Sequence, residues 1–391
     1  MMVVSVTILA VAAPAQAQSV EYVAKVSVPL MVGTPRPIGT RYIALSSLLF
    51  DKEASLPVLD LDARKVIEVK TTRAMMLRNF GLANPLNEKT VPEGELVMYD
   101  GKRAGLFLSD DILASTRRQW YAELDAKTGA LVRSTRLATL DNTAELYIVG
   151  TDPQRATVWF YVEHFGAPRG ADGRRTAGPK DIVLRKLDLA TLTATDVMTI
   201  PLAARPMRSG YEDQLTVRHA DDFSRFAVVE YDERAFQTQP TAKVIVVDPS
   251  AATTFSVPAL DTTYGVAFSR DGKYIYLASS QLGTVARVDL ATKRIDKTAP
   301  GPLLTHDAII SPNGKQLFVI GSSARFSVYE LPGLSNRGVL SHGPEVAPGA
   351  AQLSGSGIRS LDGTYYVLQD ASPPGDSGTT TTVLVITRIV D

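Results

Sequence analysis

Tyr264-Gly-Val-Ala-Phe-Ser-Arg-Asp-Gly-Lys-Tyr-Ile-Tyr-Leu-Ala278, continued by Val285-Ala-Arg-Val-Asp289, is the stretch on which the fold turns. Gly265–Ser269 reads as a strand, Asp271-Gly272 as a tight turn, and Tyr274–Ala278 and Val285–Asp289 as two further strands. Asp-Gly suits a hairpin because both central positions tolerate positive φ. A small sheet of this kind cannot bury both faces alone, so units of this pattern stack around an axis as propeller blades.

The unit recurs. Turns fall at Gly39-Thr40, Asp100-Gly101, Asp152-Pro153, Asp222-Phe223, Asp271-Gly272, Asn313-Gly314 and Asp362-Gly363. Second strands follow at Tyr42–Leu49, Ala104–Leu108, Thr157–Val162, Phe226–Tyr231, Tyr274–Ala278, Gln316–Ile320 and Tyr365–Leu368. Third strands, most of them ending on an Asp, follow at Leu56–Asp62, Gln119–Asp125, Ile182–Asp188, Lys243–Asp248, Thr284–Asp289, Phe326–Leu331 and Thr382–Val390. More polar outer strands are expected at Lys65–Thr71, Leu131–Leu137 and Asp196–Pro201. The expectation is all-β: a seven-bladed β-propeller. The last unit lacks an outer strand, and Glu21–Val28 alternates apolar and polar without a unit of its own. Pairing of this N-terminal strand with the last blade closes the ring and leaves no open sheet edge.

Composition excludes several classes of function. The 391 residues are 45% hydrophobic, enough for a large core, and 41 Lys and Arg balance 41 Asp and Glu. No net field draws the chain to nucleic acid or to an anionic membrane. The absence of cysteine removes disulfides, thiolate metal sites, thiol nucleophiles and a lipid anchor on Cys. His164, His219, His306 and His342 have no metal-ligand spacing, so neither metal nor cofactor is expected.

Val3–Ala13 is almost wholly apolar but too short to span a bilayer, and Ala15-Gln16-Ala17 offers a small-x-small cleavage site. Residues 1–17 therefore read as an export signal and 18–391 as one propeller domain, periplasmic or secreted. No integral membrane segment is expected after signal removal. The basic start of such a signal is absent, since no Lys or Arg precedes Lys25. The competing reading is a buried N-terminal strand, for which Ala-Pro-Ala-Gln-Ala-Gln is poor material.

Long links belong to one class, joining outer to next inner strand or second to third: Arg73–Glu95, Ser109–Arg118, His164–Lys180, Ala203–Gln214, Asp232–Thr241, Ser341–Gly357 and Ala371–Thr381. Long loops at one end of a rigid scaffold are where binding usually resides, although surface loops also drift. His164–Lys180, with Arg174 among its cations, reads as mobile and basic, either gripping an anion or simply solvated. Tyr211, Glu212 and Tyr231 place aromatic rings and carboxylates where an ammonium group is favoured. Tyr264 and His306 occupy equivalent positions just before the inner strands of units five and six, near the channel mouth. Both are candidates to face a ligand, His306 equally a hydrogen-bonded structural group. No nucleophile elbow, phosphate loop or dinucleotide fingerprint occurs, so nothing specifies an enzyme.

Phe268-Ser-Arg-Asp-Gly-Lys-Tyr-Ile-Tyr-Leu-Ala278, with Val285-Ala-Arg-Val-Asp-Leu-Ala-Thr292, resembles the repeat of YVTN-type β-propellers, and Ile310-Ser-Pro-Asn-Gly-Lys-Gln-Leu-Phe-Val-Ile320 repeats its first half. That group includes lactonase-like propellers, surface-layer proteins and the propeller subunits of quinoprotein amine dehydrogenases. The repeat records blade packing and turn chemistry, so no site residue transfers. The resemblance implies either a cofactor-free propeller supporting a smaller catalytic chain, or hydrolysis of a ring ester as in lactonase-like members, although no matching cluster of acids and histidines occurs. Channel-mouth His306, with Tyr264 and Glu212, is this chain's own candidate set for such a hydrolase. The residues themselves favour a third reading: a non-enzymatic binding or scaffold module, engaging a protein partner or small molecule through its long-loop face.

Overall fold

A computed structural model describes residues 20–29, 36–38, 41–45, 48–49, 54–71, 93–109, 116–170, 175–202, 215–231, 241–321, 325–341, 356–359, 365–370 and 381–389. Among these there is no helix, and the strands form seven antiparallel sheets, six of four strands and one of five.

After β1 (Val20–Pro29), the first sheet holds β2 (Arg36–Ile38) and β3 (Tyr42–Ala44); then, past a short β4 (Leu48–Leu49), it adds β5 (Ala54–Asp60) and β6 (Lys65–Thr71). The second is β7 (Glu93–Tyr99), β8 (Arg103–Ser109), β9 (Thr116–Asp125) and β10 (Leu131–Asp141). The third is β11 (Ala144–Asp152), β12 (Thr157–Phe165), β13 (Pro179–Asp188) and β14 (Thr193–Pro201). The fourth is β15 (Leu215–His219), β16 (Phe226–Tyr231), β17 (Thr241–Asp248) and β18 (Thr253–Val257). The fifth is β19 (Thr263–Phe268), β20 (Tyr274–Ser279), β21 (Thr284–Asp289) and β22 (Arg294–Pro300). The sixth is β23 (Thr305–Ile310), β24 (Gln316–Gly321), β25 (Arg325–Glu330) and β26 (Ser335–Ser341). The seventh is β27 (Ser356–Arg359), β28 (Tyr365–Asp370) and β29 (Thr381–Ile389), with β1 as its fourth strand. The sheets resemble propeller blades. β1 pairs antiparallel with β29 from Val20 opposite Ile389 to Pro29 opposite Thr381.

Two expected strands end early. Leu56–Asp62 stops at Asp60, whose carboxylate accepts from the Asp62 and Ala63 amides and turns the chain there. Tyr42–Leu49 ends at Ala44, because the next position pairs against Pro57: Leu45 N donates to Pro57 O, but proline has no N–H to return. Leu48–Leu49 instead pairs with the inner strand of the second sheet, opposite Gly94 and Glu93.

The Asp that ends the third strand in each of the first five sheets has a physical role. Asp60, Asp125, Asp188 and Asp248 each accept hydrogen bonds from the amides two and three residues on, and Asp289 accepts from Thr292 N. These carboxylates nucleate the turn to the outer strand. Their pKa values are lowered, chiefly by Arg41 at Asp60, the Thr128 side chain at Asp125, the Thr191 amide at Asp188, the Ser250 side chain at Asp248 and the Thr292 amide at Asp289. Four residues beyond each stands a left-handed residue: Arg64, Gly129, Leu192, Ala252 and Lys293, with Leu334 in the same place after Glu330.

Apolar clusters lie between successive sheets. Val229, Tyr231 and Val246 of the fourth meet Val266, Ile275 and Val288 of the fifth, and equivalent clusters fill the other seams from the first sheet to the seventh. Each buried Val, Leu, Ile or Phe side chain contributes roughly 1.5–3 kcal/mol, so the seams dominate stability. Arginines stitch the short-turn end: Arg155 Nη1 donates to Asp222 O of the next sheet at 2.8 Å, and Arg287 Nη1 to Pro332 O at 2.6 Å.

Candidate functional site

An antiparallel meander brings links between second and third strands to the same end of the sheets as links between successive sheets. The described strands make the two ends unequal. At one end the longest connection is residues 220–225; at the other are Thr71 to Glu93, Phe165 to Pro179, Pro201 to Leu215 and Ser341 to Ser356.

At this long-loop end the third sheet carries a buried charged cluster. The Glu145 carboxylate accepts from Tyr147 Oη at 2.5 Å, from Arg175 Nη2 at 2.6 Å and from Arg169 Nη2, with Arg117 Nη2 at 3.7 Å. Burial pushes its pKa up, but the hydrogen bonds from Tyr147, Arg175 and Arg169 outweigh this and hold it below the usual carboxylate range. Burial drives the Tyr147 phenol far above its ordinary value, aided by Glu163 and Glu145, so it serves as a permanent donor. Arg175, fully buried, lies 3.7 Å over the Phe165 ring and donates to Asn142 O at 2.8 Å. Phe165 N and Arg169 N bond back to Thr143 O and Asn142 O. The link read as mobile and basic is therefore laced down across its described residues, with Arg169 and Arg175 committed to Glu145. His164 Nδ1 lies 2.5 Å from Asp181 Oδ1, its cross-strand partner.

Between the fourth and fifth sheets, Tyr231 and Tyr264 come together, their rings stacked at 5.4 Å between centroids and 30° between planes. Tyr231 is buried and donates its hydroxyl to Thr263 O at 2.9 Å, which leaves half-buried Tyr264 as the member with accessible surface. Tyr264 and His306 are equivalent in register: each is the extra residue of a bulge, between Thr263 and Gly265 and between Thr305 and Asp307. The side chain of His306, and Arg174, Tyr211 and Glu212 altogether, lie outside the described residues. Among the described residues no group of three or more His, Asp or Glu is placed to hold a metal ion, and no helix is long and apolar enough to cross a membrane.

Sequence reasoning missed the Glu145 cluster and a hydroxyl cluster at the top of the fifth sheet. Thr262, Thr263 and Ser279 are buried there; Thr262 Oγ1 accepts from Gln281 N at 3.1 Å, and Ser279 Oγ from Leu282 N at 3.1 Å. A lone Glu in the alternating strand Ala144–Asp152 and a run of Thr and Ser were the only signals. Neither separates a buried network from a solvated face.

No family profile matches the chain, and no curated protein matches it in sequence. In shape it is similar to a chain of the crystal structure of a mitotic checkpoint complex, with a TM-score of 0.54 at 13% identity, over 99% of this chain and 100% of that one. At that identity the likeness speaks for the propeller-like fold alone.

Proposed function

We propose that this is an exported seven-bladed β-propeller, of the YVTN-type group its repeat resembles, acting as a non-catalytic binding or scaffold module through its long-loop face. Propeller-like folds commonly serve as binding scaffolds. The observation carrying the reading is the inequality of the two ends: among the described strands, connections as long as Thr71 to Glu93 gather at one, while none at the other exceeds residues 220–225. Seven sheets, apolar seams between successive sheets and the contact of β2 with β27 support a closed ring. So does the pairing of β1 with β29. Export rests on the apolar Val3–Ala13 and the Ala15-Gln16-Ala17 site.

Three measurements test this. Protein recovered from its native source should have a mass that begins at Gln18; a retained segment 1–17 removes the export reading. Deleting 20–29 should lower the melting temperature far beyond a trimmed terminus, and an unchanged value rules out closure through β1. A partner captured by the full chain should be lost when 203–214 is shortened to a Gly-Ser bridge and kept in Lys127→Ala at the opposite end. Retention indifferent to the long link sinks the binding assignment.

A further inference from the structure

The links entering the fifth and sixth inner strands share one backbone and differ in what they show to solvent. Thr262 (φ 49°) and Leu304 (φ 53°) each stand immediately before an inner strand in the left-handed region. Among described non-glycine residues they are the two such positions at the long-loop end; the other seven sit in short turns. The following threonines match: Thr263 Oγ1 donates to Leu260 O at 2.9 Å, Thr305 Oγ1 to Pro302 O at 3.1 Å. Thr262 turns inward, 1% exposed, and caps Gln281 N. Leu304, on the same strained backbone, is 57% exposed. Glycine or asparagine fits such a position better, so an outward leucine there is unfavourable for folding twice over.

It does not stand alone. Leu303 is 65% exposed and Leu282 61%, and these three make up most of the large exposed apolar side chains among the described residues. Leu303 lies over Gly283, where an added Cβ would approach its Cδ2 to 3.2 Å. Residues 301–304 are laced to 280–283, the link between the second and third strands of the fifth sheet, by Gly301 N to Gly283 O and Leu304 N to Ser280 O, both 2.6 Å. Between Ser279 and Thr284, and between Pro300 and Thr305, there is no charged residue. The two links are thus preorganised and carry no charge of their own, with polar Gln281 among the leucines and exposed Asp261 flanking the 280–283 link.

We propose that Leu282, Leu303 and Leu304 anchor an uncharged apolar segment of a partner protein. This rests on the binding-module reading above and adds to it a second point of contact on the same face, apart from the 203–214 link. With no charge in the two links and the Asp261 carboxylate beside them, nothing in the links pairs with an ionic partner and an anionic one is repelled. Three side chains fall well short of the roughly 800 Å² per partner that a stable interface between folded copies buries, which favours a short segment over a second copy. Rigid presentation reduces the ordering cost of binding.

The test uses the full chain, a displayed library of random twelve-residue peptides, and the variants Leu303→Ser and Leu304→Gly. Selected peptides should carry clustered apolar side chains without charge and bind Leu303→Ser at least about tenfold more weakly. Leu304→Gly should also bind more weakly while its melting temperature stays level or rises on the order of 1 °C, a combination a purely structural leucine does not give. A drop in melting temperature for Leu304→Gly overturns the proposal. So do peptides that bind both variants like the parent, concentration-dependent self-association abolished by Leu303→Ser, or Leu-dependent partition onto phosphatidylcholine vesicles. If no peptide is enriched the anchor falls, whereas the wider reading falls only if the captured partner ignores the 203–214 link.

Discussion

The upper ends of the third and fifth sheets solve one problem in opposite ways. Both must satisfy polar groups buried where the strands run out. The third uses charge: one carboxylate, Glu145, collects Tyr147, Arg169 and Arg175 and in doing so ties down a long link. The fifth uses neutral hydroxyls, Thr262, Thr263 and Ser279, on backbone groups of short links. Ionic networks hold long loops but fail wholesale when one member is lost. Hydroxyl networks lose about one hydrogen bond at a time.

Acid should separate the two most sharply. Glu145 and the turn aspartates Asp60, Asp125, Asp188, Asp248 and Asp289 all have lowered folded-state pKa values. Their stabilisation is complete above the unfolded values, about 4, and is lost as pH falls through the folded ones. Melting temperature should be flat from neutrality to about pH 5 and fall steeply below about pH 4. Hydrogen exchange should show Phe165 and Arg169 amides losing protection before those of Gln281 and Leu282. Simultaneous loss would erase the contrast.

Glu145→Ala leaves Arg175 buried without its counter-ion and should cost about 3–5 kcal/mol in denaturant unfolding. A cost below 1 kcal/mol would mean the cluster is solvated. Gly265→Ala probes the fifth sheet's seam: its Cβ would meet Ala278 Cβ at 2.9 Å and Ala308 Cβ at 3.0 Å, with Asp307 backbone behind. Overpacking there should cost about 1–3 kcal/mol by the same assay. Thr262→Val removes one hydroxyl acceptor at constant shape and should cost about 1 kcal/mol, with faster exchange at Gln281 as its local mark. Ala252→Gly relieves a left-handed alanine and should raise stability by less than about 1 kcal/mol; a decrease would mean the turn is already relaxed.

Much of the fold was legible because turns punctuate it. Asp100-Gly101, Asp271-Gly272 and Asn313-Gly314 place glycine at φ 89°, 68° and 75°, and strands such as Phe226–Tyr231 and Thr284–Asp289 have their expected bounds. The left-handed residue four beyond each third-strand acid was invisible, since only Gly129 advertises it and Arg64, Leu192 and Lys293 do not. The break after Ala44 needed the partner strand's Pro57, a contact no local pattern reveals. Of the candidate site, the equivalence of Tyr264 and His306 could be counted from the turns. The burial of Tyr231 and the role of Glu145 depend on which neighbouring sheet each faces, and alternation along one strand does not encode that.

The pairing of Val20–Pro29 with Thr381–Ile389 joins the first of the described strands to the last. At about 5–20 residues per second, the first strand waits roughly 20–80 s for its mate to be translated. Throughout that interval its backbone is open to any stray edge. A stop codon just before Thr381 therefore leaves Val20–Pro29 and Tyr365–Asp370 without the strand that lies between them, one old and one new, and nascent-chain quality control has a defined moment at which to act.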